Sequence, residues 1–117
     1  MAAPNIVNVS TITGKTAVQA VGTSATAIVT NSASSGKVFK VNMIMISNVD
    51  GTNNADITVD VYRSSTAYHL TKGFTVVAKD SLDLLTKPLY LEEGDSLRLT
   101  ASAASDLEAV VSYEEIS

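Results

Sequence analysis

Few side chains in this sequence have the types and spacing from which chemistry is built. His69 is the one histidine, and an imidazole does catalytic or metal-binding work beside a nucleophile or further ligands. Its neighbours Tyr68 and Leu70 place it on the exposed row of a strand, so it reads as a surface residue. Asp50, Asn53, Asn54 and Asp56 crowd oxygen atoms into one loop, and Ca²⁺ takes roughly six to eight such ligands. The spacing lacks the closing glutamate of an EF-hand, and Asp and Asn are ordinary turn formers, so the Asp50 to Asp56 loop reads as a turn before it reads as an ion site. Glu92, Glu93 and Asp95 sit around Gly94 as if at a hairpin tip. There water keeps carboxylates near their usual pKa, whereas general acid catalysis at neutral pH needs them raised by burial. Glu114 and Glu115 read the same way. No glycine-rich phosphate loop, G-x-S-x-G elbow or H-E-x-x-H pair occurs. No catalytic, cofactor-binding or metal-ligating residue is assigned, and the expectation is a protein that is not an enzyme. Tyr62, Tyr68 and Tyr90 are the candidates for stacking on a sugar, a reading weakened by the lack of tryptophan.

Composition narrows the partners. The sequence has 117 residues with 8 basic and 12 acidic side chains, a formal charge of −4, and no Lys/Arg cluster. Nucleic acid is therefore not an expected partner, because phosphate binding needs concentrated positive charge. The absence of cysteine rules out both a disulfide framework and a thiolate metal site. The opening MAAPNIVNVS lacks the basic and apolar regions of a secretory signal, and no apolar run approaches the ~20 residues of a membrane span, so synthesis in the cytoplasm and no membrane partner are expected. This length is that of one domain able to bury its own core.

The element around which the chain is organised is KVFKVNMIMISNV, Lys37 to Val49. Its β-branched residues favour a strand over a helix. Strict alternation puts Val38, Ile44 and Ile46 on one face and Phe39, Val41, Met43 and Met45 on the other, which makes both faces apolar beyond Val41 and calls for cover on two sides. Lys40 and Asn42 mark the end that opens toward water or a partner. Ahead of this strand, residues 1–36 carry a single charge, Lys15. They read as strands at Ile6 to Thr13, Thr16 to Val21 and Ser24 to Thr30, divided by Gly14 and Gly22, and as an interface-forming segment distinct from a 37–117 sandwich core. Either a neighbouring copy or another protein covers these strands, or they lie within their own sandwich.

After the Asn48 to Asp56 loop, Ile57, Val59 and Val61 alternate with a wet row of Thr58, Asp60 and Tyr62. Ser64 and Ser65 turn the chain, and Lys72 and Gly73 break the next strand. PLYLEEGDSLRLT, Pro88 to Thr100, has the pattern of a hairpin with Glu92 to Asp95 as its turn. Leu107 to Ile116 closes the chain as a strand with Leu107, Ala109, Val111 and Tyr113 on one face. About eight or nine short strands without helical periodicity predict an all-β, antiparallel sandwich or barrel, of which a jelly-roll-like β-sandwich is the expected form. Ile44, Ile46, Val59, Leu89, Leu97 and Val111 are the expected core.

The runs KVFKVNMIMISNVDG (37–51), ITVDVYRSS (57–65), SLDLLTKPLYLEEGDSLRLTASA (81–103) and VVSYEEI (110–116) resemble a class of small virion proteins of tailed bacteriophages. The likeness spans roughly the last two thirds of the chain and consists of strand and turn patterns. It implies a β-sandwich that assembles with itself, with a trimer favoured. The implied role is that of a capsid decoration (cement) subunit bridging major capsid proteins, with a neck, tail or baseplate component as the alternative. The implied location is the virion. No catalytic residue belongs to the pattern. The reading from a different class is a carbohydrate- or ligand-binding jelly-roll module.

Overall fold

The computed structural model describes residues 4–117. The first three residues of the charge-poor amino-terminal segment lie outside the described residues. Nine strands form: β1 (Ile12–Ala20), β2 (Thr26–Thr30), β3 (Val38–Asn48), β4 (Ala55–Arg63), β5 (Thr66–Val76), β6 (Ser81–Asp83), β7 (Leu89–Leu91), β8 (Ser96–Ala101) and β9 (Leu107–Ile116). They make two antiparallel sheets in the orders β1-β9-β3-β6, with β7 also on β3, and β2-β8-β4-β5. With β6 and β7 sharing one position, this is the eight-position jelly roll of two nested Greek keys. Among the described residues there is no helix.

β3 forms as expected, but its faces do not follow strict alternation. Its register against β9 slips between Val41 and Met43, a bulge at Asn42, so parity changes in mid-strand. The core face is therefore Phe39 and Val41, then Ile44 and Ile46, while Met43 and Met45 turn outward. Beyond the bulge only this face is fully buried, while Val38, on the other face at the start of β3, is 7% exposed. Val29, Ile57, Val59, Leu97 and Leu99 of the second sheet meet the core face and Val111 across the sandwich. Of the expected core, Ile44, Ile46, Val59, Leu97 and Val111 are fully buried; Leu89 is only partly buried at the rim.

Three local expectations are corrected. Residues Ile6 to Thr11 are not strand, and Gly14 lies within β1 rather than dividing two strands. β1 and β2 are integral, one in each sheet, because Ala17 and Val29 supply core contacts that the rest of the chain leaves open. Lys72 and Gly73 do not end β5; Gly73, at φ +70°, absorbs a register irregularity against β4. β7 and β8 are not a hairpin: β7 pairs with β3 and β8 with β2 and β4, so Glu92 to Asp95 carries the chain from one sheet to the other. The hairpin is β4 to β5, turned at Ser64 and Ser65, both at positive φ (51° and 60°).

Candidate assembly interface

On the outer face of the first sheet, cross-strand register sets Val18 beside Val110 and Val110 beside Met45, with Thr16, Ser112 and Met43 in the next row. Val18 is 73% exposed and Ile12 57%, while Val110, Met43 and Met45 are half-buried. An open groove along β1 and β9 is lined by Val18, Gln19, Ala20, Ala109 and Val110, with Glu108 at its border. Gln19 reaches to the carbonyl of Ala27 on β2, 3.2 Å away, and its Oε1 is buried without a partner. Apolar area open to water in a connected band is what partner proteins cover. The outer face of the second sheet is closed differently. Asp60, expected on a wet row, is 2% exposed; Arg98 Nε donates to it at 2.9 Å and lies 3.9 Å above the Tyr62 ring.

Two ends of the sandwich hold polar clusters. At one, the Asp95 carboxylate is buried and takes both arms of Arg63, at 2.7 and 2.6 Å, together with the Glu92 N–H at 2.8 Å. Burial alone raises its pKa, yet Arg63 and the Glu92 N–H outweigh it and hold the carboxyl below the usual range. Glu93 accepts the Gly36 N–H, and buried Asn31 donates to the carbonyls of Lys37 and Leu91. The expected solvated tip is thus a structural corner, and its carboxylates are engaged in holding three loops together. Glu115, likewise read as solvated, bridges Lys15 and Lys37, and the bond from Lys15 lowers its pKa.

At the other end, Asp50 turns inward on its own loop, accepting the N–H groups of Thr52 and Asn53, which lower its pKa. Asn48 donates to the carbonyls of Asn53 and Val76, Asn54 accepts the Ala78 N–H, and Asp56 accepts the Thr75 hydroxyl. The oxygens proposed for an ion are thereby turned to the backbone and to neighbouring side chains. Asp106 joins them, and its pKa is raised by burial and by the facing Asp50. Among the described residues no cluster of three or more His, Cys, Asp or Glu side chains is placed to hold a metal. His69 is exposed on β5, across from Asp60. Tyr68 and Tyr90 border one groove with Val61, Arg63 and Leu89, while Tyr62 lies apart beneath Arg98.

Asn31, Asp60 and Asp95 are the residues that sequence reasoning missed. Each sits in a stretch that composition marks as loop or wet row, and each is buried by a partner more than 30 positions away. Only Asp60 and Arg98, in strands of matching alternation, carried a pairing signal.

No protein-family profile matches the sequence, and no curated protein matches it. Among solved structures, one similar chain comes from Bacillus endospore appendages, described as a novel family of disulfide-linked pili. It aligns with a TM-score of 0.51 at 15% identity, over 91% of this chain and 88% of that one. The likeness establishes a shared all-β fold with a protein of a structural appendage, and nothing in it is specific to bacteriophages. This sequence contains no cysteine, so disulfide linkage has no counterpart here.

Proposed function

We propose that the protein is a non-enzymatic structural subunit that works by associating with copies of itself and with other proteins of a larger particle. The observation that carries this reading is the apolar row of exposed Val18 and half-buried Val110 and Met45 on the outer face of the first sheet. The polar clusters at both ends support it, because their charges are spent on internal bonds. The fold shared with a pilus-type protein shows that such a sandwich can serve in an appendage.

Within that class, the bacteriophage resemblance favours a capsid decoration subunit in the virion, binding major capsid proteins. A subunit that binds only the assembled lattice stabilises it by mass action, about 2.7 kcal/mol per site at a hundredfold excess over Kd. Particles lacking the protein are expected to break at lower temperature and milder osmotic shock than complete ones; equal survival overturns the decoration role. Cryo-EM localisation distinguishes the head from the neck, tail or baseplate. A second reading, ligand binding, rests on Tyr68 and Tyr90 sharing a groove. Arg63, the cation in that groove, is already bound to Asp95 and Glu92. A glycan array is expected to show no hits, and specific binding lost in Tyr90→Ala would establish the second reading.

A further inference from the structure

The described residues present four sheet edges, and three of them carry a guard against pairing. β2 is five residues long and slips in register between Ala27 and Val29. β5 is irregular against β4 and carries Lys72 beside Gly73. The far edge of the first sheet is broken into the three-residue strands β6 and β7, with Lys87 and Pro88 between them. Bulges, short length, lysine and proline are the devices by which natural sheets block strand addition. β1 has no bulge and no proline, is not short, and its one lysine is tied to its own chain. Its nine residues run in unbroken register along β9, and its single charge, Lys15, is held 2.9 Å from Glu115 of the same chain. Thr11 and Ser117 exchange hydrogen bonds, and Val21 donates to Leu107, so the odd-numbered residues face β9. The N–H and C=O groups of Ile12, Gly14, Thr16, Val18 and Ala20 therefore point away from the sheet.

We infer that this edge is a strand-pairing site and that its occupant is β1 of a second copy, antiparallel, about a two-fold axis through Thr16. The inference rests on the self-association proposed above and names its contact. In this register Ile12 stands opposite Ala20, Gly14 opposite Val18, and Thr16 opposite its own copy. Each large side chain thus meets a small one. Val18 enters the space over Gly14, where an added Cβ would find nothing within 4 Å. Charge is compatible with the same register. Lys15 lies opposite Ala17, whereas an axis through Lys15 sets two ammonium groups face to face, which destabilises a cross-strand pair. Each copy carries a net charge of −4, and β1 is the long edge along which two copies meet without like charges opposed. The product is one sheet of eight strand positions, with the row Val18, Val110 and Met45 on both halves. This two-fold contact makes a dimer, and a three-fold ring would be built from such dimers through other surfaces.

The full chain is tested by light scattering and by crosslinking. The native protein is expected at twice its 12.2 kDa chain mass, and Thr16→Lys, at an exposed position, at the single mass with unchanged circular dichroism. Because the chain has no cysteine, Thr16→Cys places one thiol at the axis. Paired Cα atoms there lie about 5.5 Å apart, within disulfide reach. Mild oxidation is expected to give a covalent dimer, while Thr26→Cys on β2 stays unlinked. A native protein that assembles equally well as Thr16→Lys, or a Thr16→Cys thiol that stays unlinked, overturns the β1 contact and leaves self-association standing. A native protein that is monomeric up to millimolar concentration overturns both.

Discussion

Asn31 donates to the carbonyls of Lys37 and Leu91 at 2.9 and 3.0 Å, accepts the Ser35 hydroxyl, and through its backbone bonds both Gly94 and Asp95. One neutral side chain thereby fastens three passing segments where water is excluded. Asn31→Ala strands two carbonyls and is expected to cost about 3 kcal/mol in urea denaturation. Asn31→Asp, similar in shape, is expected to be at least as damaging at neutral pH, because it turns a negative acceptor toward those carbonyls. Arg63 and Asp95 act at the same corner with a pH signature. The folded pKa of Asp95 is depressed, so its contribution to stability is present above the unfolded carboxylate value of about 3.9 and is lost as pH falls through the folded one. Arg63→Ala leaves that carboxylate buried without its partner. The expected cost at neutral pH is about 2 kcal/mol, less than for a fully buried pair because Arg63 is half exposed. Thermal melts from pH 7 to pH 3 are expected to show the two proteins converging at the acid end.

At the scale of elements, the turn between β4 and β5 holds Ser64 and Ser65 at φ 51° and 60°, the left-handed region that a two-residue hairpin of this hand requires. Serine adopts it with strain. Replacing the pair by Asn-Gly is expected to stabilise the protein by about 1 kcal/mol, read as a shifted denaturation midpoint at constant m. Core truncations should rank by depth: Ile44→Ala costs about 2 to 5 kcal/mol, and Leu89→Ala roughly half as much because Leu89 is only partly buried. Strand identities were legible in the sequence because β-branched residues and turn formers alternate so regularly. Their faces and partners were less so. Asn42 gives no signal that distinguishes a bulge from an exposed strand position, yet it reverses which half of β3 faces the core. Leu89, Leu91, Leu97 and Leu99 alternate as a hairpin does, but alternation reports only that one face is buried. In a jelly roll both layers bury theirs in the same core, so the pattern is blind to the crossing between them. The apolar row on the first sheet was legible in part, as two apolar faces on one strand, though the bulge changed which residues form it.

The whole molecule is a two-layer sandwich with unlike outer faces: Arg98, Asp60 and Tyr62 close one, and Val18, Val110 and Met45 leave the other open. Such asymmetry makes stability depend on neighbours. Val18 stays 73% exposed in the folded monomer, so it adds little to folding until a second copy lies along β1, and then only in the folded state. Linkage follows directly, since whatever binds the folded form alone raises its free energy of unfolding by RT ln(1 + [L]/Kd). At a hundredfold excess over Kd the gain is about 2.7 kcal/mol, which for a domain of this size raises Tm by on the order of 10 °C. Differential scanning calorimetry over a wide range of protein concentration is therefore expected to show Tm climbing with concentration. Val18→Lys should abolish the slope while leaving the dilute-limit Tm nearly unchanged, because Val18 makes little contact with its own core. A native protein whose Tm is flat across that range would mean that no second copy binds along β1.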